Sequence, residues 1–391
     1  MSRLIRSICP FLCILLLSVT LHARPRAREL GIQIGFFPPG PNNAITDVEG
    51  VLVGHVTLNW GSGKLVVGQG PVRTGVTAIR PHGDDIFDNL VFAAAVALNG
   101  NGAMTNMEWI NERGLLEVPI ILTNTLSVGT AYDGVVAYML KKDLRRVPLP
   151  VVAECWDGEL NDIAGRHVKE EHVIQAIEKA RGGPVPEGSV GAGTGMRMAG
   201  FKAGIGTASR ILPEANGGYT VGVLVNANIG PRYQLIFDGV SVLQELQSPS
   251  PPSSSTRDGS IIVVIATDAP LIPIQLRRLC KRAAMGISRV GAVSHAGSGD
   301  FAIAFSTAQR ISTSSQLAPS AQGRRKGVDT VETVRDGYIT PLFRAVIEAT
   351  EEAVINSLCV ADTIVGRDDR VKPGIPHDRL VEILKRHGRI K

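Results

Sequence analysis

A serine at the junction between a polar linker and an apolar run is the residue best placed for chemistry in this sequence. Residues 248–259 are Ser, Pro, Thr and charge, whereas residues 261–267 read IIVVIAT, a β-branched run typical of a buried strand. Cleavage of the Gly259–Ser260 bond would give Ser260 a free α-amino group, with a pKa near ~8, that could accept the proton of its own hydroxyl. Composition alone leaves a second interpretation open, an ordinary exposed loop before a strand.

Other motifs that carry chemistry in proteins are incomplete here. The glycines of GAGTGMRMAGFKAGIG, residues 191–206, lack the GxGxxG spacing between a strand and a helix that binds dinucleotides. Close backbone approach around a pocket explains them better. There is no GxxxxGK[ST], HExxH or GxSxG motif, so we expect no metal and no organic cofactor. A Ser/His/Asp triad that includes His295 stays open, although a single loop histidine is more often a surface residue.

The composition describes a glycine-rich globular protein with enough apolar sequence for a large core. Of 391 residues, 44% are hydrophobic and 20% charged, and the formal net charge is +5. The basic residues are dispersed: residues 277–284 resemble the solvated face of a helix and residues 323–327 an exposed loop, so we do not expect nucleic acid as a partner. Beyond residue 23 the cysteines are Cys155, Cys280 and Cys359, an odd number without CxxC or metal spacing, which predicts free buried thiols.

Strands and helices must position Ser260, and their patterns alternate on both sides of the linker. An alanine-rich run at 89–100 is assigned to a helix because it ends at a glycine, which suits a helix C-cap. Residues 260–391 supply too little separate core to fold alone, so residues 24–391 are predicted to form a single α/β domain with an exposed loop at 244–259. We predict strands at 50–58, 75–81, 118–125, 148–154, 221–230, 261–267 and 301–307, and helices at 89–100, 105–114, 131–140, 172–183, 273–290, 338–357 and near the C-terminus.

The first 23 residues have the composition of a secretory signal peptide. MSRLIR supplies two arginines before the apolar run ICPFLCILLLSVTL, which is too short for a spanning helix, and LHA ends at Ala23. We therefore predict removal of residues 1–23 and export, to the periplasm or outside the cell. A buried N-terminal strand and a membrane anchor are alternatives, and Leu21 makes the cleavage site imperfect.

Several long blocks carry more information than any single motif. They include NAITDVEGVLVGHVTL, ALNGNGAMTNMEWINERGLLEVPIILTNTLSVG, AECWDGELNDI, VGAGTGM, GVLVNANIG, DGSIIVVIATDAPLIPIQLRRLCKRAAMGISRVG and GSGDFAIAFSTA. In this order they resemble the DmpA-type aminopeptidases, which comprise L-aminopeptidase/D-amino-acid esterases and β-peptidyl aminopeptidases. The resemblance extends over residues 29–370. It implies an α/β fold, an αββα sandwich of two stacked sheets between helix layers, of the N-terminal-nucleophile hydrolase type.

The resemblance also implies maturation and activity. A precursor would cleave itself between Gly259 and Ser260 into chains 24–259 and 260–391, which would assemble as a homotetramer of processed heterodimers. The mature protein would be a serine aminopeptidase that removes N-terminal residues from small peptides, amides or esters with a free amino terminus, through an acyl-Ser260 intermediate. The sequence does not choose among L-α-, D- and β-amino acids as the first residue.

The resemblance assigns roles to individual side chains. Ser260 would be the nucleophile, Asn228 in NANIG would donate to the oxyanion, and Ser298 and Asp300 in GSGD would form the adjoining hydrogen-bond network. Glu154 in AECWDG would bind the substrate's free α- or β-ammonium group. Without the resemblance, structural roles are open for these residues: a strand-end cap for Asn228, a turn for Ser298 and Asp300, and a satisfied buried acid for Glu154.

Two segments depart from the family's pattern. The family usually has E-T-Y-D-G, in which the tyrosine hydroxyl helps to stabilise the tetrahedral intermediate, whereas this chain has Cys155 and Trp156 after its glutamate. The Trp156 indole only donates a hydrogen bond, and its larger ring would narrow the acyl pocket. Ile229 stands where the family often has Tyr. Two other functions therefore stay open: a weak or inactive homologue that acts as a binding or scaffold protein, and an acyltransferase.

Overall fold

The structure describes most of the chain beyond residue 23. The computed structural model covers residues 24–142, 148–230, 235–246, 259–313 and 329–390. Three predictions lie outside these residues: the signal peptide, most of the linker before Gly259, and the basic loop that follows residue 320. Within the described residues, no helix combines the length and the apolar composition needed to cross a membrane.

Strands and helices alternate through the described residues. The strands are β1 Leu52–Trp60, β2 Val72–Arg80, β3 Asn89–Gly100, β4 Leu115–Leu116, β5 Ile120–Asn124, β6 Val151–Cys155, β7 Arg197–Met198, β8 Phe201–Lys202, β9 Ile205–Ile211, β10 Thr220–Asn228, β11 Ile236–Phe237, β12 Val240–Ser241, β13 Ser260–Thr267, β14 Gly299–Ser306, β15 Ile311–Ser312, β16 Ile364–Val365 and β17 Val371–Lys372. The helices are α1 Met107–Arg113, α2 Val128–Lys141, α3 Glu170–Glu178, α4 Pro273–Arg289, α5 Thr340–Cys359 and α6 His377–Arg386. All the predicted strands are confirmed, as are the predicted helices after residue 100.

Two sheets contain the longer strands. The short sheet has the order β1-β2-β5-β6, and the long sheet has the order β15-β3-β14-β13-β10-β9, with β4 beside β3. In the long sheet β13 runs parallel to β14 and antiparallel to β10. The long sheet therefore combines strands from both sides of Gly259, and a cut at that residue would leave the two chains interlocked.

The sheets stack face to face, and helices cover their outer faces. Along β13, Ile261 and Val263 pack in the core cluster that contains α4 and α5, whereas Ile262 and Val264 pack in the cluster that contains the short sheet. A strand buried on both faces alternates in this way. On the far side, α2 and α3 contact the short sheet. The predicted αββα sandwich is confirmed.

The helix predicted at 89–100 is wrong, because these residues form β3. Ala93 and Ala95 pack in the cluster between the sheets, and Ala94 packs in the cluster on the helix side. The Cys280 thiol of α4 lies 3.3 Å from the Ala94 carbonyl oxygen. Small side chains allow this close approach of α4, and tertiary packing overrides alanine's helix propensity. Burial on both faces also removes the polar–apolar alternation by which a strand is recognised in sequence.

The thiols and the basic stretch of α4 are as expected. Cys155, Cys280 and Cys359 are buried and free, as predicted. On α4, Arg277 and Lys281 are exposed while Cys280 faces the core. The basic residues of this helix therefore belong to a solvated face.

Candidate active site

Ser260 begins β13 at the centre of the long sheet. Opposite it lie Asn228 of β10 and Gly299 of β14. Its side chain shares the inter-sheet face with Ile262, because side chains alternate along a strand. Ser260 is 7% exposed, and among the described residues its Oγ has no hydrogen-bond partner. Buried hydroxyls are normally satisfied, so this oxygen is available for chemistry.

The position before Ser260 admits only glycine. A Cβ on Gly259 would lie 2.2 Å from the Gly230 nitrogen and 2.3 Å from the Asn228 carbonyl oxygen. Both contacts are with backbone, which cannot move aside as the end of a side chain can. The Gly259–Ser260 bond is therefore held tightly against the end of β10 that carries Asn228.

The Asn228 amide is fixed at both ends. Its Nδ2 donates to the Trp156 carbonyl oxygen at 2.8 Å, and its Oδ1 accepts from the Arg197 backbone nitrogen at 3.3 Å. A primary amide has two N–H bonds, and the contact with Trp156 uses one of them. Residues directly opposite in an antiparallel pair have Cβ atoms about 4.5–5.5 Å apart. The second N–H is thus within reach of an oxyanion formed at a carbon attacked by Ser260.

Glu154, in β6 of the short sheet, is a buried carboxyl held by neutral donors. The Thr125 hydroxyl donates to its Oε2, and the Ala103 backbone nitrogen donates to its Oε1 at 3.1 Å. Burial raises the pKa of Glu154, and these two hydrogen bonds oppose the rise. No Lys, Arg or His of the described residues forms an ion pair with it. The site can therefore receive a cation from outside the chain.

Ser298 and Asp300 form a hydrogen-bonded pair at the start of β14. Ser298 Oγ lies 2.8 Å from Asp300 Oδ2, and Asn99 Nδ2 donates to Ser298 Oγ at 2.9 Å. Burial raises the pKa of Asp300, while hydrogen bonds from Ser294, Ser298 and the Ile261 backbone oppose the rise. The Asp300 carboxyl thus lies beside the first residues of β13, where a free Ser260 amine would be.

Cys155 and Trp156 have different surroundings. Cys155 faces the long sheet, with Sγ 3.5 Å from the Asn226 carbonyl oxygen. Burial raises the pKa of this thiol well above its usual value, and the nearby Glu154 carboxyl adds to the rise. The Trp156 indole instead packs over Gly158, where Cζ2 would be 2.7 Å from a Cβ. Its backbone carbonyl accepts the hydrogen bond from Asn228 Nδ2.

A pocket opens beside Ser260, and its empty space, including the part open to solvent, is about 730 Å³. Gly259, Ser298 and Asp300 line it together with Ser260, so it brings four of the predicted residues together. Glu154, Asn228 and Trp156 are not in its wall. His295 lines the pocket as well, and its backbone carbonyl accepts a hydrogen bond from Asn99 at 2.6 Å. The apolar part of the wall includes Met198, Ile229, Ile261, Ile287 and Val293.

The glycines of residues 191–206 allow close backbone approach, as predicted, but they do not line the pocket beside Ser260. Gly191–Gly193 form a single 3-10 turn rather than a strand-to-helix junction. A Cβ on Gly191 would lie 2.3 Å from Thr77 Oγ1, and one on Gly193 would lie 2.3 Å from the Ile205 nitrogen. Among the described residues, no group of three or more His, Cys, Asp or Glu side chains is arranged to hold a metal ion.

Sequence reasoning missed three residues that orient the site. Thr125 donates to Glu154, Asn99 donates to Ser298, and the backbone of Arg197 fixes the Asn228 amide. Thr125 and Asn99 lie just beyond or at the end of a strand, and both fall in the block ALNGNGAMTNMEWINERGLLEVPIILTNTLSVG. Polar residues at strand ends within that block were the available signal.

Comparison with known proteins agrees with this geometry. The model of Peptidase family S58 matches residues 43–372. The β-peptidyl aminopeptidase BapA of Sphingosinicella microcystinivorans is 45% identical over 380 residues, 94% of this chain and 93% of that protein. A β-aminopeptidase structure from a Burkholderia species superposes with a TM-score of 0.83 at 43% identity and covers 93% of this chain and 99% of that one.

A third match concerns the fold directly. The L-aminopeptidase D-Ala-esterase/amidase of Ochrobactrum anthropi, described as a prototype for the serine aminopeptidases and a variant of the Ntn hydrolase fold, has a TM-score of 0.85 at 40% identity. It covers 94% of this chain and 100% of that one. The fold and the serine at the start of a central strand thus define a hydrolase of the N-terminal-nucleophile type. The chain belongs to Peptidase family S58 and is an aminopeptidase that acts on peptides.

Proposed function

We propose that the chain is a self-processing serine aminopeptidase that hydrolyses small peptides, amides or esters through an acyl-Ser260 intermediate. One observation carries the proposal. The unpartnered Ser260 hydroxyl lies at the first residue of a central strand, opposite the Asn228 amide and directly after a glycine that no other residue can replace without a clash. Such an arrangement supports two reactions at the same oxygen.

The first reaction is self-cleavage. Ser260 Oγ attacks the carbonyl carbon of Gly259, and the C–N bond breaks as the C–O bond forms. The products are an ester and a free Ser260 α-amine, which takes up the hydroxyl proton. Water then hydrolyses the ester, which leaves a carboxylate on Gly259 and restores the Ser260 hydroxyl. Chains 24–259 and 260–391 stay together because β13 lies between β10 and β14.

The second reaction is turnover. The Ser260 α-amine accepts the hydroxyl proton as Oγ attacks the substrate carbonyl, and the second N–H of Asn228 donates to the oxyanion. The protonated amine gives its proton to the departing amine, and water hydrolyses the acyl-Ser260 ester. Asp300, oriented by Ser298, supports these steps because a carboxylate beside the Ser260 nitrogen stabilises its ammonium form.

Substrate recognition is assigned to the free amino terminus. Glu154 is buried, bonded by neutral donors and without a cation of its own, so a substrate ammonium group is the missing partner. The names of the relatives, β-peptidyl aminopeptidase and L-aminopeptidase D-Ala-esterase/amidase, support small peptides, amides and esters of this kind. Trp156 acts on the site through its carbonyl bond to Asn228.

Export and assembly are part of the same proposal. The arginine-flanked apolar leader supports removal of residues 1–23 and a periplasmic or secreted protein. The resemblance to the DmpA-type enzymes supports a homotetramer of processed heterodimers. N-terminal sequencing of native protein tests the first statement, because a chain that begins at Met1 in the cytosolic fraction contradicts it. The native mass in light scattering tests the second.

The decisive experiment follows both reactions in one protein. Wild-type protein should mature without added protease into fragments that end at Gly259 and begin at Ser260, and it should release p-nitroaniline from aminoacyl p-nitroanilides. Ser260→Ala should remain one chain with no activity, because both reactions use the same Oγ. Ser260→Cys, which keeps a nucleophile, should still process slowly. Mass spectrometry and activity are measured on the same samples.

Four outcomes contradict the proposal. Wild-type protein that stays intact after long incubation excludes self-cleavage, and Ser260→Ala that is still cut at Gly259–Ser260 shows that another protease makes the cut. Cleaved, folded protein that hydrolyses no aminoacyl p-nitroanilide or β-dipeptide indicates a binding or scaffold protein. Product that forms only with an added amine acceptor indicates an acyltransferase.

A further inference from the structure

Buried polar side chains lead from Glu154 into the short sheet, and the proposed reactions leave them without a role. Beyond Thr125, whose hydroxyl bonds Glu154, lie Asn124 at the end of β5, Thr74 in β2 and Asp157 just after β6. Asn124 is 2% exposed, and Thr74 and Asp157 are each 1% exposed. Burying polar groups is costly unless they bond to one another, so their arrangement carries information.

The direction of the hydrogen bonds is fixed at Asn124. Its Oδ1 accepts from the Leu126 backbone nitrogen at 3.1 Å and so caps the 3-10 turn Thr125–Ser127. Its Nδ2 must then face the other way, and it donates to Thr74 Oγ1 at 2.7 Å. Because Thr74 Oγ1 accepts this bond, its own proton is directed elsewhere. The Asp157 carboxyl is near Thr74, but its Oδ2 accepts no hydrogen bond from the described residues.

Asp157 is anchored on its other side. Its Oδ1 accepts from Asn161 Nδ2 at 3.0 Å, and Asn161 in turn accepts from the Arg73 backbone nitrogen at 2.9 Å. Gly195 leaves no space beside it, since a Cβ there would lie 2.7 Å from the Asp157 Cβ. Asp157 also follows Trp156, the residue whose carbonyl holds the Asn228 amide. A rigidly held carboxyl thus lies behind the glutamate site.

We propose that Thr74 is a positioning residue that acts through Asn124 to hold the Thr125 hydroxyl, and hence the Glu154 carboxylate, in the orientation that receives the substrate ammonium. This inference rests on the proposed role of Glu154. The series of contacts is continuous: Thr74 Oγ1 accepts from the Asn124 amide, that amide caps the turn that begins with Thr125, and the Thr125 hydroxyl donates to Glu154. Loss of one member lets the Thr125 hydroxyl rotate away from the carboxylate.

The test removes one hydroxyl in the middle of the series. Thr74→Val keeps the shape of the side chain and its strand preference but cannot accept the hydrogen bond from the Asn124 amide. Thr74→Ser restores the hydroxyl. Thr77→Val is the matched control, because Thr77 is a buried threonine of the same strand whose Oγ1 bonds His55 and the Ala192 nitrogen and not the glutamate site.

Two substrates separate positioning from general damage. One is alanyl p-nitroanilide, which carries the ammonium group, and the other is propionyl p-nitrophenyl ester, which lacks it. For Thr74→Val we expect KM for the first to rise about tenfold, the effect of one lost buried hydrogen bond, with kcat nearly unchanged. The kcat/KM for the ester should stay within about twofold of the wild type, because the ester has no ammonium group for Glu154 to bind. Thr74→Ser and Thr77→Val should match the wild type on both substrates.

Different outcomes would contradict the positioning role and the ammonium site. If Thr74→Val slows both substrates alike, or if Thr77→Val raises KM as much, the series is only structural and the positioning role is wrong, while the aminopeptidase proposal stands. If Glu154→Gln leaves the ratio of kcat/KM for the two substrates unchanged, Glu154 does not bind the ammonium group. The positioning role is then also wrong. Self-cleavage, followed by mass, should be complete in all three threonine variants, because it uses Ser260 and not Glu154.

Discussion

Glu154 and Glu352 are both buried glutamates, but the charges around them differ. Glu154 is bonded by the Thr125 hydroxyl and the Ala103 backbone, and burial raises its pKa. Glu352, in α5, has Arg210 Nη2 2.7 Å from one oxygen and Arg28 Nε 2.8 Å from the other. Burial would raise the pKa of Glu352 too, but the two arginines overcome it and lower the pKa.

The difference separates a binding site from a structural ion pair. Around Glu352 the negative charge is matched by arginines of the same chain, so it leaves no charge for a ligand to neutralise. These ion pairs join α5 to β9 and to the segment before β1. Around Glu154 the charge is unmatched among the described residues. An isolated buried carboxylate is unfavourable, and a site that tolerates one without a partner is suited to a cationic group that arrives with the substrate.

The same substitution at the two glutamates gives the largest test of this contrast. Glu154→Gln should lower kcat/KM for aminoacyl p-nitroanilides by about 100-fold, mainly through KM, because a charge-assisted bond to the ammonium is lost. Its thermal stability should equal or exceed that of the wild type, since an uncompensated buried charge is removed. Steady-state kinetics and a thermal melt measure both. Equal KM in the variant and the wild type would contradict the assignment.

Glu352→Gln should show the opposite pattern. Removing one partner leaves Arg210 and Arg28 without their shared carboxylate, which should cost about 3–5 kcal/mol of the free energy of unfolding. Activity per folded molecule should be unchanged. Urea denaturation measures the loss, and Glu351→Gln is the control, because the Arg289 partner of that residue is 52% exposed and the pair is worth much less. A similar loss in both variants would show that the burial of the arginine partner does not determine how much stability is lost.

Sequence reasoning reached the site more easily than the ion pairs. Ser260 was visible because a linker meets a buried strand there, and Asn228, Glu154 and Asp300 followed from the ordered blocks. Arg210 and Glu352 lie 142 positions apart, and a charged residue within a strand or helix pattern looks solvated until the tertiary contact is known. Thr74 was hidden for the same reason.

The error at β3 has a related cause. Ala93, Ala94 and Ala95 are helix formers in isolation, and only the approach of α4 and of the second sheet makes a strand of small residues favourable there. The local sequence pattern therefore predicted the elements that are buried on one side and the strands rich in β-branched residues. It failed where both faces of a small-residue segment are buried.

Lys202 is the inverse of Glu154, a buried amine with no acidic partner among the described residues. Its Nζ donates to the Gly193 carbonyl oxygen at 3.0 Å and to that of Ala203, and complete burial lowers its pKa to about 7. Between pH 7 and the usual lysine pKa the unfolded chain binds a proton that the folded chain does not. Stability should therefore rise with pH in this window, by about 1.4 kcal/mol per pH unit.

Lys202→Met should remove this gain. We expect wild-type stability relative to the variant to increase by about 2 kcal/mol from pH 7 to pH 9, measured by urea denaturation at each pH. Lys281→Met, at an exposed position of α4, controls for the loss of one amine. A constant difference between wild type and Lys202→Met across this range would show that the buried amine keeps its proton, as a matched cation does.

The smallest effect is expected where one carboxylate meets two arginines. Glu348 Oε2 lies 3.4 Å from the fully buried Arg210, whereas its Oε1 lies 3.3 Å from Arg344, whose side chain is 61% exposed. Arg344 also lies over the exposed Phe36 ring, 5.2 Å from its centroid. Solvent screens both contacts of Arg344, so Arg344→Ala should cost about 1 kcal/mol or less and the loss should shrink further in 0.5 M salt. Urea midpoints at low and high salt measure it. A loss of unfolding free energy as large as that of Glu352→Gln would mean that solvent exposure does not distinguish the two kinds of ion pair. The contrast between the paired Glu352 and the unpaired Glu154 would then need another explanation.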